Sequence, residues 1–219
     1  MSPTNVEYPP EPWYLGGSLL VSAFCVPVAD LPASFAASLP PRRRPLALRG
    51  HALVGVAFAN YVPGGVLAYD ELLIAVPSLR AGRLRYTIPQ IWVDSAESRA
   101  GGRELWGIPK ELAAFERSPT TAGASISMAL GDRTIASVTA QYKRLRVPGM
   151  RQFALPIVQA EHGRRVLSNN RVVGRMSALS ATWTFAPDGP LGYLASRRPL
   201  ASFALRDASI IFGMDVKRS

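Results

Sequence analysis

Lys110 is one of only three lysines in a 219-residue chain that carries 22 arginines, the others being Lys143 and Lys217. Arginine would serve a solvated face equally well, whereas only lysine can lose its proton and attack a carbonyl. The neighbours of Lys110 are apolar (Trp106, Ile108 and Leu112), and Pro109 restricts the backbone just before it. An amine in that setting is a candidate Schiff-base nucleophile, with burial as the lever that frees it. By composition alone a surface lysine is the commoner outcome. On a strand, Tyr69, Glu71, Leu73 and Ala75 share one face, which would set the carboxylate on an apolar wall. There it could act as a general acid or base, and the competing reading is a strand edge or rim residue.

Other chemistries lack their parts. His51 and His162 are far apart in sequence and no Cys/His cluster exists, so no metal site is expected. There is no Gly-x-Ser-x-Gly nucleophile elbow and no glycine loop to cradle a phosphate. Cys25 is the only cysteine; within Ala23-Phe24-Cys25-Val26 it is expected to pack in the core as a small hydrophobe. The net charge of +10 is spread along the whole length, with one tight run at Arg42, Arg43 and Arg44. Nucleic-acid modules gather their basic residues or interleave them with aromatics, so these arginines read as a solvated surface without a nucleic-acid partner. An anionic substrate could still profit from that field. Met1 to Trp13 shows no basic segment followed by an apolar stretch. The apolar run at 19–28 is too short to span a bilayer and contains Pro27. A cytoplasmic protein with no membrane partner is expected.

The elements that must position Lys110 and Glu71 are strands. Segments 18–28, 52–62, 66–76, 84–93, 112–117, 124–130, 134–146, 154–161, 172–186 and 201–212 are rich in β-branched and aromatic residues between Gly, Pro or Asp turns. Two short helices are expected. Asp30 is placed to cap the first, with Pro32 in its first turn and Pro40 as its stop. Ser95 is placed to cap the second, which carries Glu97 and runs through Arg103 and Glu104. Gly101 and Gly102 cost that helix about 1 kcal/mol each relative to alanine, which implies close packing or a break. With no repeat and no linker in sight, the chain reads as a single domain over 1–219. Its fold class is mainly β, an antiparallel barrel or sheet with a few short helices.

The stretch Gly102-Arg103-Glu104-Leu105-Trp106-Gly107-Ile108-Pro109-Lys110 resembles the lysine motif of the acetoacetate decarboxylase family, in which Gly-Arg-Glu leads through an aromatic-containing turn to Pro-Lys. Ile91-Trp92-Val93-Asp94-Ser95 resembles the strand and aspartate before that motif, and Tyr69-Asp70-Glu71 with Pro77 resembles the family's glutamate strand. The likeness extends over nearly the whole chain. It implies the family's barrel-like sheet, assembly into homo-oligomers, and a Lys110 imine with a small-molecule keto acid. Glu71 would be the active-site carboxylate, with Trp106, Tyr69 and Glu111 around the substrate. No cofactor is implied, because the protonated imine is itself the electron sink. Three departures stand out. Glu111 occupies the place of a second lysine, Gly16-Gly17-Ser18 stands where a first-strand arginine is expected, and Ala57 falls near a second pocket glutamate. Decarboxylation of a β-keto acid is therefore the leading expectation. A lysine-imine aldolase, dehydratase or cyclase is the close alternative, and a non-catalytic barrel for an apolar ligand is the third.

Overall fold

The computed structural model describes residues 6–120, 123–161 and 164–219. Among these residues lie β1 (Trp13–Pro27), helix α1 (Ala33–Ser38), β2 (Arg44–Pro45), β3 (Ala47–Leu48), β4 (His51–Val62), β5 (Tyr69–Arg80) and β6 (Arg83–Val93). Helix α2 (Ala96–Trp106) follows, then β7 (Lys110–Leu112), β8 (Ala114–Thr120), β9 (Gly123–Leu130), β10 (Arg133–Ala154), β11 (Ile157–Glu161), β12 (Arg164–Phe185) and β13 (Ala201–Arg218). Strand neighbours run β11-β6-β5-β4-β1-β13-β12-β10-β9-β8. Because β11 also pairs with β12, the seven strands from β11 round to β12 close into a ring. All pairings named here are antiparallel except β11 with β6 and β7 with β6. The mainly β fold expected from the sequence is the fold found.

Alternation along the ring strands makes two interiors from one sheet. On β4, Val54, Val56 and Phe58 face one core, and on β5 Leu72, Ile74 and Val76 join them. The extension β8–β10 curls over that side, adding Ile126, Met128, Ile135 and Val138. Each such fully buried side chain contributes about 1.5–3 kcal/mol of transfer free energy. The alternate residues face into the ring: Leu53, Gly55, Ala57 and Tyr61 from β4, and Tyr69, Glu71, Leu73 and Ala75 from β5. Several of these are small, so the ring interior does not fill. A cavity of about 370 Å³ remains.

Several sequence expectations are corrected by local physics. Cys25 is exposed, because Phe24 and Val26 take the inward positions of β1 and the pleat turns the residue between them outward. Asp30 caps no helix. It lies in a 3-10 turn and pairs with Arg197 Nη2 at 2.5 Å, while Pro32 holds the N-cap of α1 without a side-chain bond. The strand expected at 134–146 runs on to Ala154. Its pairing with β12 slips on either side of Arg146, around the Pro148-Gly149 step, instead of ending. β12 likewise begins at Arg164, ahead of the expected 172, and the expected strand at 154–161 starts only at Ile157. No helix among the described residues is long and apolar enough to cross a membrane.

Candidate active site

Lys110 enters the ring because β7 pairs in parallel with β6, setting Lys110 opposite Ile91. The pleat then sends Lys110 inward and Glu111 outward. Lys110 is 4% exposed, and its Nζ donates to Glu71 Oε2 at 2.8 Å, Ser98 Oγ at 2.9 Å and Tyr69 Oη at 3.3 Å. Glu71, 3% exposed, reaches the same point from β5, and its second oxygen accepts from Tyr61 Oη at 3.1 Å. Tyr61 and Tyr69 face each other across β4 and β5. Burial first, and the nearby Glu71 charge second, push both phenols well above the usual tyrosine range. Both therefore keep their O–H groups throughout the neutral range. Lys110 Nζ also lies 5.0 Å from the Tyr69 ring centroid and 5.9 Å from that of Trp13. A buried ammonium and carboxylate are each costly alone and tolerable only as a hydrogen-bonded pair.

Helix α2 delivers Ser98 and makes room for the lysine. Ser95 caps it as expected, accepting from Ser98 N–H at 3.0 Å, and Gly107 ends it in the left-handed region at φ 63°. The helix runs unbroken through its two glycines, and packing explains both. A Cβ on Gly101 would stand 2.5 Å from the Trp13 ring, and one on Gly102 would stand 2.6 Å from Lys110 Cδ. Ser98 and Gly102, four residues apart, thus present one face to the lysine, the first as a hydrogen-bond partner and the second as a gap. Gly102→Ala tests that gap. Alanine favours the helix by about 1 kcal/mol, and the lysine stem is flexible enough to yield, so folding should hold. The displaced amine should cost roughly a hundredfold in turnover, the scale of a misplacement near 1 Å. Unchanged turnover beside an unchanged melting curve would remove the positioning argument.

The sequence-derived residues divide cleanly by location. Lys110, Glu71, Tyr69 and Trp106 all line the cavity. Trp106 forms part of its wall, edge-on to Trp13 at 4.8 Å and to Phe212 at 4.6 Å. Glu111 does not line it. Its side chain is 54% exposed and pairs with Arg103 and, at 3.6 Å, with Arg99, both on α2. Arg103 also donates Nε to the Lys110 carbonyl at 2.7 Å, so Glu111 helps fasten the strand that carries the lysine. Ser98 and Tyr61 escaped the sequence reading. Ser98 lies one turn beyond the Ser95 cap, and Tyr61 lies at a strand end opposite Tyr69. Neither position carries a motif. Ala57 lines the cavity as an apolar residue, and Lys110 is the one cation among the described lining residues. His51 is exposed with Nδ1 3.0 Å from the Arg49 carbonyl, and His162 lies outside the described residues. No group of three or more metal-ligating side chains occurs among the described residues.

Fold and site together define a class of protein that holds a single lysine amine, paired to a carboxylate, against an apolar cavity inside a ring of strands. The acetoacetate decarboxylase family model matches residues 23–168, and the chain belongs to that family. Among solved structures, the acetoacetate decarboxylase of Legionella pneumophila is similar at 18% identity, with a TM-score of 0.69 over 100% of this chain and 93% of that one. The enduracididine biosynthesis enzyme MppR, solved with pyruvate, is 20% identical with a TM-score of 0.66 over 98% of this chain and 93% of that one. An acetoacetate decarboxylase-like enzyme from Sphingomonas wittichii is 17% identical, with a TM-score of 0.66 over 100% and 97%. The sequence has no match among curated proteins.

Proposed function

We propose that this protein is a Schiff-base lyase that decarboxylates a β-keto acid through an imine on Lys110. The observation that carries the reading is the 2.8 Å contact of Lys110 Nζ with Glu71 at the wall of an apolar cavity. Glu71 accepts a proton from the ammonium, and the freed amine adds to the ketone carbon. Glu71 gives that proton to the carbinolamine hydroxyl, which leaves as water, and a protonated imine remains. The electron pair of the carbon–carboxylate bond then flows into that imine, carbon dioxide leaves and an enamine remains. Glu71 passes a proton taken up from solvent to the enamine carbon, and water hydrolyses the new imine to release the ketone and the ammonium. Tyr61 holds one carboxylate oxygen throughout, while Tyr69 and Ser98 fix the position of Nζ. The apolar walls favour the carbon dioxide step, because a buried carboxylate without a cationic partner is unstable and decarboxylation removes its charge. A keto acid, pyruvate, sits in the solved complex of the relative MppR, which supports the substrate class.

A second reading has its own observation. No arginine lines the cavity among the described residues, so no cation beyond Lys110 is there to hold a substrate carboxylate. That favours an uncharged carbonyl compound and an aldol, dehydration or cyclisation step on the same imine. MppR has also been solved with the condensation product of pyruvate and imidazole 4-carboxaldehyde. One experiment separates the readings. Borohydride is added with a carboxyl-labelled β-keto acid or a neutral β-diketone, and both the adduct and the released label are measured. Lysine-imine chemistry predicts a reduced adduct on the Lys110 peptide, and decarboxylation predicts labelled carbon dioxide with the keto acid. An adduct without labelled gas favours the second reading. Binding of the compounds with no adduct on Lys110 would leave only a non-catalytic barrel.

A further inference from the structure

A second cavity, about 420 Å³, opens on the outside of the ring, and Arg43, Arg80, Arg83, Arg85 and Arg165 wall it. Arg80 and Arg83 are direct partners across the β5–β6 turn. Arg85 follows on β6, where the pleat points it away from Tyr86, which lines the inner cavity. Arg43 arrives from the segment before β2, and Arg165 from the start of β12. Arg43 is anchored, its Nη1 donating to the Ser78 carbonyl at 3.0 Å. The Arg165 guanidinium donates Nε and Nη2 to Ser219 Oγ at 3.1 and 3.0 Å. Among the described residues, none of the five makes an ion pair with a carboxylate. The crowding is felt within the group. Burial, and then the charges of Arg85, Arg80 and Arg165, hold Arg43 below the ordinary arginine range. Arg85 is lowered in the same way by burial, Arg165 and Arg83. Guanidinium groups keep their charge under all ordinary conditions, so this repulsion is relieved by a counter-anion rather than by proton loss.

We propose that this arginine cleft is a binding site for an oligophosphate group, separate from the Lys110 cavity. Planar guanidinium forks match pairs of phosphate oxygens bidentately, and several forks in one concavity suit an anion bearing more than two charges. A single carboxylate would satisfy at most one or two of them. The location gives the anion mechanical leverage. Strand β11 joins β6 through a parallel ladder at Ile157 and Tyr86, and Arg85 Nη1 donates across that seam to the Ile157 carbonyl at 3.4 Å. An oligophosphate bridging Arg83 or Arg85 on β6 to Arg165 on β12 would clamp the strands on either side of β11.

Calorimetric titration with inorganic pyrophosphate at fixed ionic strength tests this, with sulfate as the comparison anion. Arg80→Gln combined with Arg83→Gln removes two exposed cleft charges. Arg144→Gln combined with Arg151→Gln removes two exposed charges from the β10 arm as a matched control. The expected result is pyrophosphate binding at least about tenfold tighter than sulfate. A rise in melting temperature on binding should accompany it. The cleft pair should lose about tenfold in affinity and the control pair less than threefold. Absence of pyrophosphate binding, parity with sulfate, or equal losses in the two variants would each overturn the proposal.

Discussion

Lys110→Met is expected to lose turnover by about 10⁴-fold or more, the scale on which removal of a covalent nucleophile is felt elsewhere. The same variant should also lose stability, because it strands the Glu71 carboxylate in an interior where that residue is only 3% exposed. Removing one partner of a buried ion pair costs about 3–5 kcal/mol. In a chain of this size that corresponds to a fall of roughly 6–20 °C in melting temperature. Removing both charges should reverse most of the loss, since well-packed apolar replacements for a buried pair are often neutral or stabilising. Lys110→Met combined with Glu71→Leu should therefore melt near the parent while staying inactive. A double variant as unstable as the single one would mean that the pair is held for structure. Residual turnover within tenfold of the parent in Lys110→Met would remove the lysine from the mechanism.

Glu71→Gln keeps the shape of the site and removes its charge and its ability to carry a proton. The amide oxygen can still accept from one of the two partners that now bond Glu71, Lys110 at 2.8 Å and Tyr61 at 3.1 Å, while its NH2 turns donor at the other position. Turnover is expected to fall by about 10²–10⁴-fold, the usual contribution of a general acid or base. Capture by borohydride should survive, since the Lys110 amine that adds to the carbonyl is left in place by the substitution. This split between slow turnover and intact trapping distinguishes a proton carrier from a structural carboxylate. If trapping and turnover fall together, Glu71 serves to place the lysine; if neither changes, it has no part in the reaction.

Lys110 could be found in the sequence because it is an anomaly in its surroundings, and Glu71 because its strand resembles the family's glutamate strand, with which its setting agrees. Lys110 is a lysine among arginines, and Glu71 is a charge on an apolar strand face. The pleat also foretold which neighbours of Glu71 would share its wall. It would have placed Glu111 outside as well, had the pleat outweighed the motif. Ser98 and Tyr61 were out of reach for a different reason. Their roles come from long-range placement, a helix laid across β7 in one case and a cross-strand pair in the other, and neither leaves a local pattern. The two glycines of α2 were recognised as a packing signal, but what packed against them, Trp13 and the Lys110 stem, lies elsewhere in the chain. The strand arm at 133–154 is longer than the 134–146 expected because Pro148 and Gly149 look like a stop. Pairing with a long partner outweighed that local signal.

The small residues that leave the ring hollow have an evolutionary consequence. Gly55, Ala57 and Ala75 border empty space, while their chain neighbours Val54, Val56, Ile74 and Val76 are locked in a dense core. Enlarging a core residue by even one methylene forces its neighbours to move, at a typical cost of about 1–3 kcal/mol. At Ala57 or Ala75 the same enlargement meets vacant volume, and it consumes room for substrate instead of stability. A descendant lineage can thus reshape which molecules fit, one substitution at a time, while Lys110 and Glu71 stay in place. New specificities are open to such a fold by drift at positions that neither hold the structure together nor touch the Lys110 amine.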